Sequence, residues 1–163
     1  MEIRPATVDD VGGVVPMVDR LVAFLAQRDP AKYAALENVG DMYRGWLRTR
    51  AVDPRSVFLV AERQPGQLAG FLIGTVEREI PIYRLEEYGF IHDVWVEPDY
   101  RNEGVARQLV TTAVERFTRI GVRQVRLDVL VSNEPALGLF KKVGFRESIY
   151  EMLIETGARR TQR

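Results

Sequence analysis

Six consecutive residues, Arg101-Asn102-Glu103-Gly104-Val105-Ala106, have the types and spacing to hold an anion at the entrance of a helix. From Val105 onward the apolar residues Val105, Leu109, Ala113, Phe117 and Ile120 recur at steps of three and four, which marks one face of an amphipathic helix. The first amides of a helix have no partner in their own ladder, and the aligned peptide dipoles add partial positive charge there, so a phosphate or pyrophosphate is favoured. Arg101 adds a fixed charge, Gly104 lets a ligand approach the backbone, and Asn102 can adopt the left-handed conformation of such a turn. An ordinary strand-to-helix turn with capping residues would account for the loop alone equally well. Immediately upstream stand the only histidine, His92, and Asp93. An imidazole titrating near 6.5 suits a general base at neutral pH, although a lone strand histidine also has a purely structural reading. Strand alternation predicts that His92 and Asp93 point to opposite faces, so that only one of them faces a cleft.

These residues need a strand to deliver them. Ile91, Val94, Trp95 and Val96 are β-branched and aromatic, and the turn Glu97-Pro98-Asp99 ends the run. The strand reads Val96-Glu97-Pro98, then Tyr100-Arg101, then Arg101 to Ala106; an Asn, Asn133, follows the next strand, and Phe140-Lys141-Lys142-Val143-Gly144-Phe145 follows that. In this order the chain resembles the GNAT superfamily of acyl-CoA-dependent N-acyltransferases, over nearly its whole length.

The resemblance implies acetyl-CoA as co-substrate, and nothing in the residue types suggests a metal. The main chain around Val94, Trp95 and Val96 would bind pantetheine and donate an N–H toward the acetyl carbonyl. The loop residues Arg101, Asn102, Glu103, Gly104, Val105 and Ala106 would take the pyrophosphate, with the Glu103 side chain turned to solvent. Asn102 and Ala106 stand where Gly is common in the family. Asn133 would contact the donor or simply cap a helix, and the two roles can coexist. Lys141 and Lys142 could reach the 3′-phosphate of CoA or remain solvated. His92 or Asp93 would accept the proton of an amine, whose ordinary pKa near 10.4 makes deprotonation at neutral pH cost about 4 kcal/mol. Phe140 occupies a place where many members carry a Tyr that protonates the departing thiolate. Phe has no proton to give, so water, another Tyr such as Tyr150, or unassisted departure must serve.

The implied activity is transfer of an acetyl group to a primary amine by direct attack in a ternary complex. A catalytically weak acyl-CoA-binding or sensing module is the alternative that Phe140 suggests. A dinucleotide-binding domain would need G-x-G-x-x-G after the first strand, whereas the loop here has Gly104 alone. The acceptor is a small-molecule or protein amine, and a homodimer is expected from the family.

Bulk properties bound these readings. A length of 163 residues with 46% hydrophobic content suits one core, hence a single domain over 1–163 with a flexible tail from about 157. Lys plus Arg, 23, balance Asp plus Glu, 23, which gives no general field for nucleic acid or a membrane surface. The absence of Cys and the single His exclude disulfides, thiolate zinc and multi-His metal sites. No apolar run approaches the roughly 20 residues of a membrane span and no leader pattern is visible, so a cytoplasmic protein is expected.

Along the chain, Glu2 to Thr7 reads as a strand and Thr7 or Asp9 as the cap of a helix through Leu25. Arg28 to Tyr33 reads as loop. Asp41 to Arg50 reads as a helix with Met42, Trp46 and Leu47 inward. Ser56–Glu62 and Leu68–Arg78 form a hairpin, and Glu79–Gly89 a surface loop. After the central helix, capped by Gly121, a strand runs from Val125 to Val131. A short helix with Pro135 in its first turn follows and stops at Gly144, and Phe145–Glu155 supplies a last strand or strand pair. The expected fold is α/β in the α+β sense: a mixed, mostly antiparallel sheet of six to seven strands with a splayed parallel pair and helices on both faces.

Overall fold

The computed structural model describes residues 1–157. Its sheet has five strands in sequential order: β1 (Glu2–Pro5), β2 (Val57–Gln64), β3 (Gln67–Arg78), β4 (Glu87–Val96) and β5 (Val125–Leu127). The first four are antiparallel to their neighbours, and β5 runs parallel to β4. The helices are α1 (Val11–Arg28), α2 (Pro30–Tyr33), α3 (Val39–Val52), α4 (Val105–Ile120) and α5 (Glu134–Val143).

Alternation along the strands divides the core in two. Phe58, Val60, Phe71, Ile73 and Trp95 meet α1 and α3 on one face, around Val14, Val18 and Leu47. Leu59, Leu72, Ile91 and Val96 meet α4 on the other, around Leu109, Ala113 and Phe117, with Phe140 and Val143 of α5 packed alongside. Glycine permits the closest approach of α4 to the sheet. A Cβ at Gly89 would lie 2.7 Å from the Phe117 ring, and one at Gly74 would lie 2.9 Å from it. Arg4 pins β1 by bonding Asp10 and Glu62, each at 2.8 Å. The Asp19 carboxylate on α1 accepts from the Gly40 N–H at 2.7 Å, satisfying one of the orphan amides that open α3.

Several sequence expectations change. The hairpin turn tightens to Pro65-Gly66 with Gly66 at φ 79°, because β2 and β3 run farther than their apolar segments. Arg28–Tyr33 is not wholly loop: Asp29 accepts from Lys32 N at 3.2 Å and Pro30 opens a single helical turn. Met42 lies outward, 64% exposed, because the inward stripe of α3 runs instead through Tyr43, Trp46 and Leu47.

The sheet has five strands rather than six or seven. β5 stops at Leu127, and the chain beyond it turns aside, where Arg28 Nη1 holds the Ser132 carbonyl at 2.9 Å. Phe145–Glu155 forms no strand, for β5 offers it no adequate edge and its acidic side chains are held elsewhere: Glu147 by Lys141 at 2.7 Å, and Glu151 by Lys32. The supposed tail from 157 lies outside the described residues beyond Gly157 itself. Among the described residues, no helix is long and apolar enough to cross a membrane.

Candidate active site

β4 and β5 pair only from Gly89↔Val125 to Ile91↔Leu127. Beyond Ile91 the two strands part. On that edge His92–Val96 has no strand partner, while its other edge stays paired with β3 through Gly70↔Val96. Over these five residues β4 lacks a ladder partner on that edge, with the Val96 carbonyl taken by the Arg101 side chain, and an extended ligand can add hydrogen bonds there.

The turn after β4 aims the next helix. Pro98–Tyr100 forms a 3-10 turn, and Asn102 and Gly104 then take left-handed conformations at φ 65° and 81°. These two residues reverse the chain so that α4 starts at Val105 with Gly104 as its N-cap. No side chain caps this end. Its first amides are thus without a side-chain partner, and such a helix start can accept an anion. Arg101, Asn102, Glu103 and Gly104 are exposed, Val105 is buried against the sheet, and Ala106 is half-buried. Arg101 is a brace for the turn as well as a charge. Its Nε donates to the Val96 carbonyl at 3.0 Å, and its guanidinium lies 4.7 Å over the Trp95 ring. Arg107 and Gln108, which the motif did not single out, line a depression of about 630 Å³ with Gly104 and Thr111.

Trp95 and Glu97 join this loop to α1. The Trp95 indole N–H donates to Glu97 at 3.2 Å, Arg20 pairs with the same carboxylate, and the Trp95 ring meets Phe24 edge to face at 6.0 Å. Sequence reasoning missed Glu97 as a clamp because its partner lies 77 residues away.

The expected separation of His92 and Asp93 does not occur. Pairing of β3 with β4 runs Ile73↔Asp93 and then Gly74↔Ile91, so His92 is an extra residue, a β-bulge. The bulge resets the alternation. Asp93 sits opposite Ile73 and shares its face, toward α1 and α3, while Ile91 packs toward α4. His92 turns to the α3 side too, its ring 5.4 Å from Trp46 and 5.0 Å from Phe90. Both candidate bases therefore lie on one side of the sheet.

Their environments differ. Asp93 Oδ2 is enclosed and has no hydrogen-bond partner among the described residues, and burial pushes its carboxyl up to about 6. The Tyr43 phenol is raised by burial and further by the Asp93 charge. His92 is lowered by burial, against the opposing pull of Glu77. Its Nε2 lies 2.7 Å from Thr75 Oγ1, which in turn lies 2.5 Å from Glu77 Oε1.

The remaining candidates lie near α5. Asn133 Oδ1 accepts from Ala136 N at 3.4 Å, so the capping role is present. Phe140 packs in the α4-side core, its ring 5.9 Å from Phe145. Lys141 is paired with Glu147, and Lys142 is exposed. Tyr150 is 74% exposed and donates to Glu147 at 3.1 Å.

Comparison with known proteins agrees with this geometry. The chain is 32% identical over 111 residues to an uncharacterized N-acetyltransferase of Methanocaldococcus jannaschii, covering 64% of this chain and 44% of that one. It is 32% identical over 94 residues to a putative [ribosomal protein bS18]-alanine N-acetyltransferase of Bacillus subtilis, covering 58% and 56%. The chain thus spans about half the length of the curated relatives it matches. Among solved structures, a mutant protein of Bacillus halodurans superposes with a TM-score of 0.84 over 95% of this chain and 99% of that one. At 18% identity this likeness shows the fold alone. The model of the Acetyltransferase (GNAT) family matches residues 21–145, a span holding β4, its open edge and the anion-ready start of α4, and the chain belongs to that family.

Proposed function

We propose that this protein is an acetyl-CoA-dependent N-acetyltransferase that moves an acetyl group to a primary amine by direct attack in a ternary complex. The observation that carries this reading is an unpaired β4 edge followed, after one short turn, by the uncapped start of α4. The α4 amides and the Gly104 backbone hold the pyrophosphate, and the β4 edge holds the pantetheine arm as a partial strand. An N–H of Val94 to Val96 then donates to the acetyl carbonyl as charge develops on its oxygen, an effect worth about 3 to 4 kcal/mol in hydrolases.

In the transfer, the amine lone pair forms the C–N bond, the C–S bond breaks with its electron pair remaining on sulfur, and the amine proton goes to His92 or Asp93. Both lie on the α3 side of β4, and both titrate near or below neutrality, so each is largely a base at pH 7. Phe140 offers no proton, and a thiol with ordinary acidity near 8.5 leaves tolerably without one. The Bacillus subtilis relative is named for a ribosomal-protein alanine, which makes a protein N-terminus one acceptor class to test beside small amines. We expect a cytoplasmic enzyme and a homodimer, checked by fractionation and light scattering.

A second reading, an acyl-CoA-binding module with little turnover, draws on the packing of Phe140 in the core. Purified protein incubated with acetyl-CoA and an amine panel, followed by free thiol, separates the two. Thiol release dependent on amine and lost in both His92→Ala and Asp93→Ala supports the enzyme; tight binding with background release supports the module. No effect of saturating acetyl-CoA on melting temperature or calorimetric heat would remove both.

A further inference from the structure

The Thr75 hydroxyl has one proton and two polar neighbours. It lies 2.5 Å from Glu77 Oε1 and 2.7 Å from His92 Nε2, and Thr75 itself is only 6% exposed. If that proton pointed at Nε2, lone pairs of the hydroxyl and of an ionised carboxylate would face each other at 2.5 Å, which is repulsive. If it points at Glu77, the separation is that of a charge-assisted O–H···O⁻ bond, and the hydroxyl oxygen is free to accept from Nε2–H. The second arrangement satisfies every group. It also leaves the lone pair of the neutral ring on Nδ1, which has no hydrogen-bond partner among the described residues.

We infer that Thr75 and Glu77 form a relay, His92 Nε2–H to Thr75 Oγ1–H to Glu77 carboxylate, that fixes the single histidine in one tautomer and makes Nδ1 the atom that takes the amine proton. The inference rests on the acetyltransferase reading for its chemistry. The relay itself is a property of the protein alone.

When Nδ1 takes a proton, the ring becomes cationic with the Glu77 carboxylate oxygen 3.7 Å from Nε2. The step moves one proton from nitrogen of the amine to nitrogen of the ring and needs no other reactant. Thr75 and Glu77 act through the His92 ring and are positioning residues. Other groups also act on the ring: Arg50 from α3 opposes its charging, Asp128 beyond β5 favours it, and Trp46 and Phe90 exclude water from its faces. Glu77 is partly exposed, so its influence is screened and modest.

The register supports the arrangement. Thr75 pairs with Phe90, and alternation from Phe90 to His92 puts the His92 ring on the same face as Thr75.

The protein has one histidine, which makes the test unambiguous. Long-range ¹H–¹⁵N spectra of ¹⁵N-labelled protein, without acetyl-CoA or amine, read the tautomer and the titration midpoint directly. The wild type is expected to show Nε2 protonated and Nδ1 bare in the neutral ring. Thr75→Val should mix the tautomers, and Glu77→Gln should lower the midpoint, because the carboxylate that favours the charged ring is gone. Thr75→Ser should restore the wild-type spectrum. In turnover assays Thr75→Val should lose roughly tenfold, with its pH profile displaced, and Thr75→Ser should recover. A wild-type spectrum with Nδ1 protonated overturns the relay, as do Thr75→Val and Glu77→Gln proteins whose nitrogen shifts and midpoint match the wild type. Because the spectra need no substrate, a failed relay is distinguishable from a protein that does not transfer acetyl groups.

Discussion

The Trp46 and His92 rings stand edge to face at an interplanar angle of 87°, with centroids 5.4 Å apart, and this contact ties α3 to the bulge of β4. Tyr43 continues the aromatic row at 5.5 Å from Trp46, and Phe90 closes it at 5.0 Å from His92. The row keeps the imidazole partly out of water, which is the main reason its pKa is lowered. Trp46→Ala opens that face. The His92 midpoint should then rise toward its ordinary 6.5, read by histidine ring chemical shifts, and stability should fall by about 2 to 4 kcal/mol because the ring is only partly buried. A midpoint that moved down would refute burial as the cause.

Asp93 carries the clearest pH signature. Its folded pKa, about 6, lies above the unfolded value of 3.8, so the native state holds the proton more tightly than the unfolded chain does. Stability from this group is therefore highest below 3.8, declines as pH rises through the interval, and reaches a deficit on the order of 3 kcal/mol above 6. Asp93→Asn should raise the melting temperature at pH 7.5 and leave it nearly unchanged at pH 4. In turnover the proton acceptor is His92, so Asp93→Asn should keep the rise of kcat/KM with pH; a rise abolished by this substitution would make the carboxylate the base.

Arg101 supports the loop through the Val96 carbonyl and the Trp95 ring at once. Lys keeps the charge but lacks the planar fork, so Arg101→Lys should behave more like Arg101→Ala than like the wild type. Both should weaken acetyl-CoA binding about tenfold by calorimetry. If Lys restored full affinity, charge alone would be what Arg101 supplies.

Gly89 faces the Phe117 ring so closely that even a methyl group overlaps it. Gly89→Ala should destabilise the protein by about 1 to 3 kcal/mol in denaturant titrations. Combining it with Phe117→Leu should cost less than the sum of the two single changes, because the smaller side chain relieves the clash. Simple additivity would mean the two positions do not press on each other.

The parts that were readable in the sequence are those set by neighbours along the chain. Gly104 and Gly121 bracket α4, Asn133 and Gly144 bracket α5, and the anion-ready loop from Arg101 needs only its own backbone. What escaped the sequence depends on distant partners. The bulge at His92 arises from pairing with Ile73 and Gly74, so strand alternation alone put Asp93 and His92 on opposite faces. The Arg20–Glu97 clamp and the Thr75–Glu77 contact to His92 are likewise tertiary. Phe145–Glu155 has the apolar residues of a strand, but strand formation also requires an edge, and β5 ends after three residues.

The gap between β4 and β5 also bears on self-association. A bare strand edge recruits other chains, but this one is short, closed at one end by Ile91↔Leu127 and at the other by the turn at Pro98. Five residues at about 3.4 Å each leave a slot roughly 17 Å long. A slender flexible arm can pair along such a slot, whereas a foreign strand gains few ladder bonds from so short a stretch, so the fold can leave these amides unsealed at little risk of aggregation.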